Sequence, residues 1–166
     1  MPDLESATHY PGTVLFEGTN VSVGRGTPIA FQVLGAPWFD PSSLLPLLQG
    51  EPGVLVSDTV ITPHEPADGK YADVTLPALR FRVADREVYD PTRLALRLFA
   101  AIRDVHRDSL RLTAGLERLA GSSALRDWIE SGEGYEQLYS SWQEELLQFE
   151  AVRQAFLIYE PSSAIR

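Results

Sequence analysis

Between Phe16 and Thr27 the chain gathers Glu17, Thr19, Asn20, Ser22 and Arg25, with Gly18, Gly24 and Gly26 between them. Arginine can grip a carboxylate through two parallel N–H···O bonds, and asparagine offers both a donor and an acceptor. Glycine permits turns closed to other residues and lets a ligand approach the main chain. Such a cluster suits a polyhydroxylated or carboxylate-bearing ligand. The same residues equally describe a hairpin or Ω-loop in which Glu17 and Arg25 form a structural ion pair. Gly24-Arg25-Gly26 is not a dinucleotide fingerprint, since it lacks the third glycine and leads through Pro28 into a predicted strand rather than a helix. No Gly-Lys-Ser/Thr phosphate loop exists.

Hydrolysis of a sugar linkage takes two carboxyl groups. Glu17 is the one acid inside the informative segment. Asp40 and Asp90 precede prolines and read as helix caps, while Asp58, Glu65, Asp68, Asp73 and Asp85 lie in or near loops and nothing ranks them. One candidate catalytic carboxylate without a partner is what half of an active site looks like. Cysteine is absent, which excludes disulfides and thiolate metal sites. His9, His64 and His106 are too scattered to form a ligand pair, so neither a metal nor a cofactor is expected.

The net charge of −9, from Asp+Glu 23 against Lys+Arg 14, repels a phosphate backbone. The strongest basic run, Arg103, Arg107 and Arg111, is interrupted by Asp104 and Asp108, so nucleic acid is not an expected partner. No apolar run approaches the ~18 residues that cross a bilayer, and Met1-Pro2-Asp3-Leu4-Glu5 has no secretory signal. The sequence assigns no compartment.

The elements that must position these residues fall into two textures. Residues 1–90 are rich in Gly, Pro and β-branched residues, and 91–160 read as helix. Strands are predicted at Thr13–Phe16, Ala30–Leu34, Val54–Val56, Val60–Ile61 and Leu79–Val83, the last with one wet face. Pro63–Gly69 reads as an exposed loop. Asp40-Pro41 starts a helix with an apolar face of Leu44, Leu45, Leu47 and Leu48, ended by Gly50. Asp90-Pro91 starts another along Leu94, Leu98, Ile102 and Val105. Gly121 closes a short helix, Ser122 or Ser123 caps the next, and Gly132 ends it. Tyr135, Leu138, Trp142, Leu146, Phe149, Val152 and Phe156 recur at helical spacing and are expected to be core. The predicted class is α+β, one domain over 1–166, with a small mixed β-sheet from the N-terminal half covered by helices from the C-terminal half.

Tyr10-Pro11-Gly12-Thr13, Phe16-Glu17-Gly18-Thr19-Asn20, Ser22, Gly24-Arg25-Gly26-Thr27 and Gly35-Ala36-Pro37-Trp38 closely resemble, in order and spacing, one bacterial family. It was long known as the uncharacterised DUF1343 and is now described as the exo-β-N-acetylmuramidases (NamZ). Looser likeness continues through Arg118-Leu119-Ala120-Gly121, Trp142 with Glu144-Glu145, and Arg153 to Tyr159, whereas Pro28-Ile29-Ala30-Phe31 shifts the family's proline. The resemblance implies the C-terminal domain of a two-domain glycosidase that removes N-acetylmuramic acid from peptidoglycan fragments. The active site would lie in the cleft against a Rossmann-like N-terminal domain that is absent here. It implies Glu17 as catalytic residue and Asn20, Arg25, Thr19 and Ser22 as substrate-binding residues, with a muropeptide or other N-acetylmuramic-acid-containing saccharide as ligand. Charge complementarity, rather than the resemblance, pairs Arg25 with the lactyl carboxylate. An isolated domain would be inactive, and loss of its partner would uncover apolar surface near Phe31, Trp38 and Phe39 through which it forms a homodimer. The alternative is a non-catalytic carbohydrate-binding or scaffold module of the same fold.

Overall fold

The structure, a computed structural model, describes residues 1–159. Helix α1 (Leu4–Thr13) starts at Asp3, whose carboxylate accepts from the Ser6 amide at 2.7 Å. It runs into a 3₁₀ turn, Val14–Gly18. The strand expected at Thr13–Phe16 is therefore the end of α1 and this turn. A short apolar run does not distinguish strand from helix, and the buried face of α1 (Ser6, His9, Gly12, Thr13) carries no apolar stripe to announce a helix.

Helix α2 (Pro41–Leu48) and α3 (Pro91–Val105) begin where the Asp-Pro pairs place them. Asp40 accepts from Ser42 N, and Asp90 from Thr92 N and Arg93 N. Of the leucines expected to face inward on α2, Leu44 and Leu48 are buried and Leu47 is exposed. Strands β1 (Val33–Gly35), β2 (Val54–Ile61) and β3 (Leu76–Val83) form a sheet in the order β1-β3-β2. Both pairings are antiparallel, with Val33 opposite Arg80 and Val54 opposite Val83, so the expected mixed sheet is antiparallel throughout. Only β2 and β3 are consecutive strands joined without a helix, which suits an antiparallel pair. The two fragments expected at 54–56 and 60–61 are one strand, because an edge strand with a wet face tolerates Ser57, Asp58 and Thr59. The central strand β3 starts three residues before its expected start, and adjacent Ala78 and Leu79 are both buried because both faces are covered.

The α+β class holds, but the cover is not only C-terminal: α1 packs on α3 and β3, and α2 on α3 and β2. Gly12 makes the first contact possible, since a Cβ there would lie 2.0 Å from Pro91 O. The Phe16 and Phe99 rings stack at 4.0 Å. Glu51, buried after α2, accepts from Arg93 Nε at 2.8 Å and from Arg97 Nη1 at 2.5 Å, which ties α3 to that loop. Phe31 and Phe39 are buried within the same unit, so two of the three rings expected at a dimer surface are interior.

Helices α4 (Gly115–Ala120) and α5 (Ala124–Ser131) end at Gly121 and Gly132, both left-handed, as expected. Ser123 precedes α5, but its hydroxyl binds Asp127 and caps no backbone amide. The chain divides into two compact units, Met1–Tyr135 and the residues from Glu136 onward. The second contains α6 (Glu136–Arg153) and a short 3₁₀ turn, Gln154–Phe156, and none of their residues is buried. The stripe expected as core is a correction: Phe149 is 58 % and Val152 63 % exposed. Periodicity reveals a helical stripe but not whether anything covers it. Among the described residues no helix is long and apolar enough to cross a membrane.

Two outcomes follow for stability. Gly12→Ala gains roughly 0.5–1 kcal/mol of helix propensity but forces α1 from α3, an overpacking that costs about 1–3 kcal/mol. The variant should therefore unfold at lower urea with unchanged slope. Buried His9 meets the Tyr89 hydroxyl at 2.7 Å through Nδ1, and its Nε2 faces Glu5 Oε1 at 3.7 Å. Burial holds the imidazole below its ordinary value of 6.5, against the pull of Glu5. The native state then binds fewer protons than the unfolded chain, so stability is lost as pH falls through the unfolded value. Melting between about pH 7 and about pH 5 should show that loss, and His9→Gln should flatten it.

Candidate functional site

Glu17 lies in the 3₁₀ turn after α1, where Gly18 lets the turn lie against α4: a Cβ at Gly18 would come 2.5 Å from Leu116 Cα. Arg25 stands between two glycines in the left-handed region, Gly24 (φ 75°) and Gly26 (φ 80°). Both are also sterically required, the first by Val33 and the second by the His64 carbonyl. The Arg25 Nε donates to Glu17 Oε1, with the side chains 34 % and 20 % exposed. The guanidinium lies 4.9 Å from the Phe31 ring centroid, and Phe31 is edge-on to Tyr10. The bond to Glu17 raises the Arg25 pKa, so the cation is secure.

All five residues singled out in the sequence are brought together, but they differ in what they present. Thr19 and Ser22 are each 1 % exposed. The Thr19 hydroxyl donates to Phe16 O at 2.8 Å and accepts from Val21 N at 3.0 Å, and Ser22 Oγ accepts from Gly24 N at 3.1 Å. Asn20 uses both ends of its amide: Nδ2 donates to Ser109 O at 2.9 Å and Oδ1 accepts from Arg111 N at 2.8 Å. Its main-chain N–H donates to Arg111 O at 3.1 Å. Glu17 and Arg25 are the members with charge turned toward solvent.

The 63–75 loop supplies residues that sequence reasoning missed. Lys70 Nζ donates to the carbonyls of Phe16 (3.4 Å), Glu17 (3.2 Å) and Val21 (3.0 Å). Burial lowers its pKa, while Asp68 and Glu17 act in the opposite direction. The Tyr71 hydroxyl donates to Asn20 O at 2.6 Å, and burial raises its pKa. His64 donates its main-chain N–H to Gly26 O at 3.0 Å, and its exposed ring meets Asp73 at 2.7 Å. Among the described residues, the non-glycine positive-φ positions are Phe31, Glu65, Tyr71 and Asp73, all in or against this cluster. Such backbone costs about 1–3 kcal/mol per residue and persists where its surroundings over-determine it. The local signal was a Gly69-Lys70-Tyr71 run in a polar loop, which no spacing rule connects to Glu17 fifty residues earlier. Among the described residues no group of three or more His, Asp or Glu could hold a metal ion.

Lys70→Met should therefore loosen the segment rather than the core. Hydrogen bonds to charged groups contribute about 1.5–3 kcal/mol. Amide exchange should accelerate several-fold at Thr19–Ser22 while α3 keeps its protection, and equal acceleration in both would refute a local brace.

The family model described as "Exo-beta-N-acetylmuramidase NamZ, C-terminal" matches residues 8–159. Peptidoglycan beta-N-acetylmuramidase NamZ of Bacillus subtilis (strain 168) is 32 % identical over 163 residues, covering 96 % of this chain and 39 % of that protein. Two crystal structures of DUF1343 family proteins from Bacteroides fragilis NCTC 9343 share the fold. One has a TM-score of 0.82 at 17 % identity, covering 93 % of this chain and 42 % of the other. The second has a TM-score of 0.63 at 22 % identity, covering 96 % and 42 %. The chain thus spans about two-fifths of the length of these relatives. With the motif segment, the α+β fold and a family match over nearly the whole chain in agreement, this protein belongs to the NamZ C-terminal domain family.

Proposed function

We propose that this chain is the C-terminal module of a peptidoglycan-fragment exo-β-N-acetylmuramidase and forms one wall of its active-site cleft. The observation that carries this reading is the Glu17–Arg25 pair, partly exposed on a segment where Thr19, Asn20 and Ser22 spend their side-chain polar atoms on main-chain groups of the protein. In that pair Glu17 is an acceptor-only carboxylate, suited to gather sugar hydroxyls or to take a proton from water. Arg25 Nε is engaged by Glu17, and its terminal nitrogens then meet a carboxylate such as the lactyl group of N-acetylmuramic acid. Thr19, Ser22 and Asn20 shape the wall through the backbone they hold. Glycoside hydrolysis passes through an oxocarbenium-like transition state and needs a second carboxyl group to protonate the leaving oxygen. That group is assigned to a preceding domain, so the 166-residue chain by itself should release no N-acetylmuramic acid. The cluster of strained backbone around the pair supports a site rather than a plain loop.

The second reading is a carbohydrate-binding or scaffold module without catalytic role. It is favoured by the same pair, since a carboxylate held by an arginine also serves as a hydroxyl acceptor. Calorimetric titration of N-acetylmuramic acid into the wild type, Glu17→Gln and Arg25→Ala tests both. Binding by the wild type that weakens roughly ten-fold in each variant, about 1.4 kcal/mol, is expected. No binding by the wild type would remove sugar recognition from this module. Mixing the chain with its preceding domain should restore hydrolysis under the first reading, and binding without restored hydrolysis selects the second.

A further inference from the structure

The basic run that the sequence presented as interrupted is reassembled by the fold. Arg103 and Arg107, from the end of α3 and just beyond it, face Arg111 and, from α5, Arg126 across a pocket of about 490 Å³. Leu112 and Ile129 contribute apolar lining. In a chain of net charge −9, four arginines here oppose only Asp104 and Glu130 among the lining residues.

The arginines are not equivalent. Arg103 is held by Asp104 at 2.8 Å and by Glu133 O at 3.1 Å, with its guanidinium 5.5 Å from the Trp128 ring. Arg126 is held by Glu117 at 2.7 Å, by Glu130 at 3.4 Å and by Thr113 O at 2.6 Å. These two brace the walls. Arg107 and Arg111 make no ion pair with any described residue; Arg111 Nη1 reaches only the neighbouring Leu110 carbonyl at 3.1 Å. The main chain of Arg111 is nevertheless fixed, because Asn20 bonds both its N–H and its C=O. Thr19 and Leu112 form an isolated bridge beside it. Two uncompensated guanidinium groups on a braced frame, beside apolar side chains, form a site for anions. Pockets of some hundreds of Å³ suit small molecules rather than a nucleic-acid strand.

We propose that this pocket binds a small dianion, a dicarboxylate or a phosphate group, through Arg107 and Arg111, with Arg103 and Arg126 holding its walls. Two free positive charges match two negative ones, and planar guanidinium forks pair with either group through parallel hydrogen bonds. The site is separate from the Glu17–Arg25 pair and goes beyond the function proposed above; it stands whether or not that reading does.

The test is calorimetric titration of inorganic phosphate and of glutarate into the whole chain at low ionic strength. Wild type, Arg107→Gln/Arg111→Gln and Arg25→Gln are compared. Saturable binding of at least one probe, one per wild-type chain, is expected, with affinity reduced at least roughly ten-fold in the double variant and unchanged in Arg25→Gln. Both arginines are exposed and the contact with Asn20 uses main-chain atoms, so unchanged thermal unfolding of the ligand-free double variant checks its fold. Phosphate binding alone names a phosphate-bearing ligand, and glutarate alone a dicarboxylate. Absence of saturable binding by both probes overturns the proposal, as does binding that survives in the double variant. Loss in Arg25→Gln would move the anion to the motif segment and overturn it equally.

Discussion

The Lys70 ammonium bonds the carbonyls of Phe16, Glu17 and Val21, and the irregular stretch from Gly18 to Gln32 depends on that contact. Buried peptide groups must find partners, and this stretch has no strand ladder and no α-helix to provide them. One cation with three donors satisfies carbonyls from both sides of a tight bend, and Asn20 does the same with the 109–111 segment through its amide and main chain. Thr19 and Ser22 close the remaining gaps over two or three residues. A loop braced in this way can hold Glu17 and Arg25 in one geometry. It can also bear the left-handed backbone of Phe31 and Tyr71, whose cost is offset by the contacts around them.

That brace rests on the packed core of the Met1–Tyr135 unit. Phe16, the residue before Glu17, stacks on Phe99 of α3, so the start of the motif is anchored to the most buried helix. Thr13 of α1 bonds the Phe31 carbonyl at 3.1 Å, which sets the ring beneath Arg25. Gln32 joins Asp3, Ser6 and Arg80, tying the start of α1 to β3. Buried polar groups serve here where an apolar face would not, because each one fixes the direction of a neighbour as well as filling space.

Charge is arranged on two scales. The net −9 sets a field that disfavours long polyanions, while Arg25, Arg93, Arg97, Arg103 and Arg126 are each compensated by a carboxylate within hydrogen-bond distance. Screening confines such fields to about 8 Å at physiological salt. Local surplus at Arg107 and Arg111 therefore persists in a globally acidic chain. Composition reports the first scale and only the folded arrangement reports the second.

The features legible in the sequence are those decided within a few residues. Asp40-Pro41 and Asp90-Pro91 cap helices because an Asp carboxylate meets amides two or three residues on, and Gly121 and Gly132 end helices because their own φ must be positive. The clustering of Glu17, Asn20 and Arg25 was visible for the same reason. What the tertiary structure decided concerns partners far away along the chain. Thr13–Phe16 is helical and 3₁₀ because Gly12 and Phe16 meet Pro91 and Phe99. From Leu146 onward the α6 stripe is exposed, because periodicity shapes a face without fixing its burial. Lys70 reaches under Glu17, and Arg126 joins Arg103, Arg107 and Arg111, only once the chain has closed on itself. Local hydrogen bonding was therefore written in the sequence, whereas burial and the company each charge keeps were settled by contacts between distant segments.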